Sequence, residues 1–362
     1  AGERQKLEIL KQLYLGNRIL ILDEPTSVLT PDEADHVLGM LRTMTTAGSI
    51  SVLMITHKFR EVTTFADEVT VLRRGRVAGQ GRVADLTTST LASMMVGEAP
   101  PEGSAPRPPQ QAGGARLAVH ALHATDDRGV AVLNGVSLEV RAGEIVGIAG
   151  VSGNGQDELV QVLAGQRRPT SGRLVAEGVT YRCTRREANE AGVRCLPEEP
   201  LRSACVPTMT LAQNIGMRVY DTPPFTVGRW LVRRAALRRR ASECVSAYRI
   251  KAPSVDAPMS TLSGGNVQRA VLARELDGHA RILVVANPCF GLDFAAVADI
   301  RARLLEARAA GVAVLLVSAD LDEIFALADR VLVMSGGRIV HETPIGAADV
   351  AVIGRFMAGH AT

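Results

Sequence analysis

The stretch ILILDEPTSVLTPD, residues 19–32, sets the terms on which the rest of the chain is read. Four β-prone apolar residues in a row are the pattern of a strand buried in a parallel sheet, and Asp23 and Glu24 stand where that strand ends. In open α/β sheets, ligands bind beyond the carboxyl ends of the strands. Adjacent carboxylates at such an edge repel each other unless something positive or proton-hungry faces them, and a magnesium nucleotide supplies both a metal and an attacking water. The pair therefore reads as chemical. The plainer alternative is a strand that runs out into a solvated acidic turn.

Elements predicted on either side fit an α/β unit. Leu7, Leu10 and Leu13 recur at helical spacing through residues 2–14, and Gly16-Asn17 stops the run. Thr30-Pro31 is an N-cap and first-turn pair that opens a helix reaching about Met44. SVLMIT, residues 51–56, is a second buried strand that delivers His57 at its end; a helix over 61–66 and the hairpin-like VTVLRRGRVAG close the unit near Gly97. EAPPEGSAPRPPQQAGGA, residues 98–115, is too rich in proline, glycine and small polar residues to bury a core and reads as a linker. Beyond it, RLAVHAL and VAVLNGVSLEV predict antiparallel strands, and EIVGIAG leads into a glycine-rich loop.

Composition narrows the function classes. With 362 residues and 46% apolar content, the chain has enough material for about two domains with proper cores. A net charge of +3 gives no reason to expect nucleic acid as a partner. The longest aliphatic run, residues 312–317, is far short of the roughly 18 residues that cross a bilayer, so a membrane role must come through a partner. Five cysteines, at 183, 195, 205, 244 and 289, lack metal-ligand spacing and suggest packing thiols in a reducing compartment. The only lysines are Lys6, Lys11, Lys58 and Lys251. The opening AGERQK has no strand before its first helix, which leads us to expect a first domain truncated at its N-terminus.

The two sides of the linker repeat each other. AGERQK at Ala1 matches GGNVQR at Gly264, and ILILDEP at Ile19 matches ILVVANP at Ile282. MITHKFREV aligns with LVSADLDEI, placing His57 opposite Ala319, and ADEVTVLRRGRV at Ala66 matches ADRVLVMSGGRI at Ala328. One and a half copies of a single domain are expected: 1–97 as the C-terminal part of a first copy, 98–115 as linker, and 116–362 as a second copy with a helical subdomain over about 200–262. What the first copy lacks corresponds to residues 116–263, a whole nucleotide-binding front half.

Two further motifs lie in the second copy. GVSGNGQD, residues 150–157, follows a strand and precedes a helix, the context of a phosphate-binding loop; Gly150, Gly153 and Gly155 would let backbone amides close on phosphate oxygens. The pattern G-x-x-x-x-G-K-[ST] asks for lysine and a hydroxyl where this chain has Gln156 and Asp157, so no cation reaches the phosphates there. LSGGNVQR, residues 262–269, sets a serine and two glycines at a helix start, an anion site made of backbone amides and a positive helix end.

This succession of P-loop, LSGGxxQ signature, DEP strand and histidine after the next strand resembles the ATP-binding cassette of ABC transporters, over essentially the whole chain. Two fused copies, the second degenerate, look like the ATPase subunit of importers for simple sugars and nucleosides. The resemblance implies an α/β P-loop NTPase fold in tandem, the second copy carrying an antiparallel β subdomain and a helical subdomain. It implies ATP and Mg2+ as cofactors. Two transmembrane permease subunits and an extracytoplasmic substrate-binding protein are implied as partners, with the chain peripheral on the cytoplasmic membrane face. In that family two cassettes pair head to tail. Asp23 would then hold magnesium through water, Glu24 would polarise the attacking water, His57 would contact the γ phosphate, and Thr30 would lie in the loop crossing the dimer. Ser263, Gly264, Gly265 and Gln268 would close that site from the opposite cassette. At the other site Ala286 replaces the metal acid, Asn287 the base, Ala319 the histidine and Gln156 the lysine, so nucleotide binding without hydrolysis is expected.

Glu198 stands where cassettes carry the Q-loop glutamine, and residues 201–255 would dock on the membrane partner. The arginines at 233, 234 and 238–240 read as a solvated helix face or a contact to acidic groups, since aromatics hardly interleave with them. Trp230 and Phe225 read as packing residues, and the remaining histidines as ordinary ones. As written, the chain has a base and a metal acid but no P-loop beside them, so it is not expected to hydrolyse ATP alone. One rival is a regulatory or vestigial fragment. The other is a soluble tandem cassette acting on ribosomes or DNA, which Gln156 argues against.

Overall fold

The computed structural model describes residues 2–357 except 27–28, 30, 57–58, 74–75, 88–89, 92–93, 95–112, 152, 229, 278–279 and 293. His57, Thr30 and nearly all of the expected linker lie outside the described residues.

Residues 2–85 run helix Gly2–Tyr14, β1 (Ile19–Asp23), helix Pro31–Thr46, β2 (Ser51–Ile55), helix Phe59–Phe65, then the hairpin β3 (Glu68–Arg73) and β4 (Arg76–Arg82). β1 and β2 pair in parallel, from Ile19 opposite Ser51 to Asp23 opposite Ile55. One face of this pair is a true core, where Leu20 packs with Ile9, Val37, Leu38, Leu41 and Ile50. The other face, Ile19, Ile21, Leu53 and Ile55, is open, with Ile19 72% exposed. A strand buried on both faces was expected; side chains alternate across a strand, and among the described residues no second layer lies on that side.

The second part opens with β5 (Ala115–Thr125), β6 (Ala131–Arg141), β7 (Ile145–Ala149), β8 (Ser171–Ala176), β9 (Val179–Thr180) and β10 (Val193–Leu196). An insertion follows, holding the hairpin β11 (Thr226–Val227) and β12 (Leu231–Val232); β13 (Ile282–Ala286), β14 (Ala313–Ser318), β15 (Arg330–Ser335) and β16 (Arg338–Pro344) complete the set. Strands β6-β5-β8-β9 form an antiparallel sheet. The central sheet runs β10-β13-β14-β7-β15-β16, parallel except for its edge strand β16. Every residue of β7, β13 and β14 is buried, as unbroken aliphatic runs in a doubly covered parallel sheet should be. Leu283, Val285, Val314 and Leu316 face one helical layer, while Ile282, Val284, Leu315 and Val317 face the antiparallel sheet and the helix Gln156–Leu163. These last four match Ile19, Ile21, Leu53 and Ile55 of the open face.

Parallel direction and adjacency put four strand ends on one edge: β10 leads to Glu198, β13 to Asn287, β14 to Ala319 and β7 to the glycine-rich loop. The insertion is helical only in part, with helices Pro200–Ser203, Leu211–Ile215 and Arg234–Ala247 beside the β11–β12 hairpin. Trp230 sits at that hairpin's turn and is 94% exposed, so it does not pack as expected. The basic cluster meets acids of its own chain, Arg238 with Asp256 at 2.8 Å and Arg240 Nε with Asp277 at 2.7 Å. No described helix is long and apolar enough to cross a membrane.

Candidate functional site

At the end of β1, the Glu24 N–H donates to the Ile55 carbonyl at 2.9 Å, and the Glu24 carbonyl accepts from Gln5 Nε2 at 3.1 Å. These two bonds hold Glu24 at φ 46°, in the left-handed region. For a residue with a Cβ that conformation costs about 1–2 kcal/mol, and such strain concentrates where chemistry needs a fixed side-chain direction. Behind the acid pair, Glu61 is buried and accepts from the hydroxyls of Thr26 and of Thr56, the latter at 2.9 Å. Glu61 thus ties the segment after Glu24 to the residue before His57. Sequence reasoning missed it, although it falls inside the matched blocks, opposite Glu323.

At the end of β13, Asn287 repeats the geometry of Glu24, with φ 40° and its N–H donated to the Val317 carbonyl at 2.8 Å. Its carboxamide bonds at both ends: Nδ2 donates to Glu198 Oε2 at 2.8 Å, and Oδ1 accepts from the Ala319 N–H at 3.0 Å. The structure therefore brings Glu198, Asn287 and Ala319 together, with Ala286 beside them offering no polar atom. Glu323, which matches Glu61, accepts from Ser318 Oγ at 2.7 Å, and burial holds its carboxyl above the ordinary range. Cys289 falls opposite Thr26 in the matched sequences, and burial raises its thiol too.

The loop after β7 has Gly153 at φ 96° and Gly155 at φ 97°, a conformation that side chains resist, and Gly155 caps the helix Gln156–Leu163. Gln156 is buried and folds back across the loop, where a Cβ on Gly150 would collide with its Nε2. Asp157 is exposed. Asn154 fastens the loop to the turn between β15 and β16, its Oδ1 accepting from the Gly336 N–H at 2.9 Å and its carbonyl from the Gly337 N–H at 3.1 Å.

Ser263 precedes the helix Gly264–Leu276, with its Oγ accepting from Asn266 Nδ2 at 2.8 Å. A side chain at Gly264 would meet nothing within 4 Å, so this helix start presents bare backbone, whereas Gly265 packs near Ala296 and Leu292. Gln268, expected among the nucleotide contacts, is instead buried and donates to the Pro288 carbonyl. That bond ties the signature helix to the loop after β13, as Gln5 ties its own helix to Glu24.

Magnesium is held by one or two carboxylates plus substrate phosphates, so the end of β1, with Asp23, fits it and the end of β13, with Ala286, does not. Among the described residues no cluster of three or more His, Cys, Asp or Glu could hold a metal alone. A cleft of about 380 Å3 beside the insertion is lined by Cys195, Cys205, Arg218 and Arg274, among others. Burial pushes the two thiols up to about 12 and about 11, which leaves them protonated and unreactive.

A family model described as ABC transporter matches residues 133–289. The chain is 40% identical to a glucose import ATP-binding protein of Haloferax volcanii, with 99% of this chain and 65% of that protein covered. It is 36% identical to a guanosine import ATP-binding protein of Bacillus subtilis, over 99% of this chain and 70% of that one. The chain thus spans about two thirds of the length of the curated relatives it matches. A solved dimeric bacterial ABC transporter cassette superposes with a TM-score of 0.55 at 19% identity, covering 63% of this chain and 98% of that one, which shows the cassette fold.

Proposed function

The chain belongs to the ABC transporter ATP-binding family, and from that premise we propose that it is part of the subunit that powers import of a simple sugar or a nucleoside through two unlike nucleotide sites. The observation that carries this is the contrast between two matched strand ends of like backbone, the carboxylates Asp23 and Glu24 at one, and at the other Ala286 beside an Asn287 whose carboxamide is bonded to Glu198 and the Ala319 N–H. In the hydrolytic site, Asp23 would hold magnesium, which offsets charge on the transferring phosphate. Glu24 would take the proton of the attacking water, and its fixed backbone aims the carboxylate. Glu61, through Thr26 and Thr56, would keep this acid and His57 in register. Ser263, Gly264 and Gly265 would close the site from the opposite cassette with backbone N–H groups.

The open face of β1 and β2 supports a further part of this reading. In residues 116–357 the matched face is covered by the antiparallel sheet and the P-loop helix, so we assign a front half equivalent to 116–263, lying outside residues 1–362, to Ile19, Ile21, Leu53 and Ile55. Without it Glu24 has no phosphate cradle, and the chain alone is expected not to turn over ATP. The duplicated cassette, divided at 1–97, 98–115 and 116–362, is part of the same proposal. So are the two permease subunits, the extracytoplasmic binding protein and a position on the cytoplasmic membrane face.

Steady-state ATPase assays test this. In a full-length relative, glutamine at the position aligned with Glu24 should lower turnover by about 10²- to 10⁴-fold, the usual worth of a general base. Turnover that survives this change while the position aligned with Asn287 proves essential would reverse the assignment of the two sites.

A further inference from the structure

The P-loop of the second copy contains one residue whose chemistry differs in kind from the lysine the pattern asks for. Lysine is donor-only; a carboxamide both donates and accepts. Gln156 uses both functions inside the loop, its Nε2 donating to the Val151 carbonyl at 3.0 Å and its Oε1 accepting from the Asn154 N–H at 3.0 Å. Phosphate loops work by leaving backbone N–H groups without internal partners, so that phosphate oxygens satisfy them. Here one of those N–H groups is already bonded to a buried side-chain oxygen. Asn154 stiffens the arrangement, since its own Nδ2 donates to the same Val151 carbonyl at 3.1 Å while its Oδ1 and carbonyl hold Gly336 and Gly337.

We propose that the Gln156 carboxamide is an internal ligand of this loop: its oxygen takes the Asn154 N–H that a phosphate oxygen would otherwise take, and a phosphate chain binds only by displacing it. The proposal rests on reading the second copy as a phosphate-chain site and adds what sets its affinity. The loop keeps its shape without an anion, and the substitution costs affinity twice, once through the absent cation and once through competition. The Val151 carbonyl keeps Asn154 Nδ2 when Gln156 is changed, so removing the carboxamide frees one N–H and strands no buried acceptor.

Binding of inorganic pyrophosphate, which reads the phosphate cradle without the base, tests this by isothermal titration of the whole chain against Gln156→Met and Gln156→Ala. Methionine keeps the volume and removes the acceptor. Freeing one neutral hydrogen bond should tighten pyrophosphate binding by about three- to ten-fold in both variants. Amide exchange supplies a readout that packing alone does not move: the Asn154 N–H, protected in the native chain, should lose protection in Gln156→Met and regain it with pyrophosphate. Thermal unfolding checks that the variants stay folded. Native binding as tight as or tighter than that of Gln156→Met overturns the proposal, as does an Asn154 amide unaffected by the substitution, or pyrophosphate binding to no variant. A magnesium complex of a fluorescent, non-hydrolysable ATP analogue separates the two readings. If it binds no variant while pyrophosphate tightens as stated, the nucleotide assignment fails and the internal ligand stands.

Discussion

Changing Asn287 to aspartate probes the second site at its most informative contact. The change is nearly isosteric and keeps the Oδ1 that accepts from the Ala319 N–H, but it sets a carboxylate oxygen against Glu198 Oε2, where an amide N–H now donates at 2.8 Å. Two unit charges about 4 Å apart repel by about 4 kcal/mol at an effective dielectric of about 20. Both residues are half-buried, so solvent screening leaves about 2 kcal/mol of this. Loss of a hydrogen bond to a charged acceptor adds about 1.5 kcal/mol. Asn287→Asp should therefore destabilise this part of the chain by about 3.5 kcal/mol at pH 8, read by urea unfolding followed by circular dichroism.

The pH dependence of that loss is the sharper test. The new pair would share one proton, which raises its folded-state pKa above the unfolded value of about 4. A raised folded pKa means that stability is fully present below the unfolded value and lost as pH rises through the folded one. The cost should thus shrink to about 1 kcal/mol near pH 4 and grow toward pH 8. Adding Glu198→Gln restores a donor facing the introduced carboxylate and should return most of the loss at pH 8. A penalty that is equal at the two pH values, or that Glu198→Gln does not relieve, would refute the contact on which the second site's assignment depends.

Two smaller effects follow from the same edge of the sheet. Glu24→Asn should stabilise the first copy by about 0.5–1 kcal/mol relative to Glu24→Gln, because asparagine tolerates the left-handed backbone and glutamine does not; equal urea midpoints for the two variants would count against strain at φ 46°. Burial holds the Glu323 carboxyl above its ordinary range, so the stability it contributes is complete below about pH 4.3 and declines as pH rises through the folded value. Glu323→Gln should abolish that decline and gain on the native chain from pH 5 to 8, whereas parallel melting profiles would mean that the carboxyl titrates normally.

Sequence carried the strand ends well, because an aliphatic run followed by acids, an amide or a glycine-rich loop marks a sheet edge whatever lies around it. It carried less of what depends on a third dimension. ILILD reads the same whether one face or two are covered, and only packing reveals that Ile19 and Ile21 lie open. Strands of two residues at Thr226–Val227 and Leu231–Val232 are too short to show alternation, so the hairpin that exposes Trp230 left no periodic signal. Glu61 was legible in principle. It lies opposite Glu323 in the matched sequences, but an identical pair marks no lost chemistry, and only packing shows the hydroxyls that Glu61 joins.

The two matched strand ends show physically what the substitutions between them do. Where the resemblance asks for lysine and glutamate, the second copy has two carboxamides, and each closes on neighbours: Gln156 on its own loop, Asn287 on Glu198 and the Ala319 backbone. A lysine has no acceptor for a loop N–H, and an ionised glutamate offers no donor to Glu198, so the charged residues would leave these groups waiting for a ligand. The same exchange eases the backbone, because φ near 40° suits asparagine better than glutamate. On the proposed reading, replacing the charged residues here goes with a gain in self-sufficiency. Around Glu24, by contrast, the acids are kept, the left-handed backbone is borne by a glutamate, and the matched sheet face is open among the described residues.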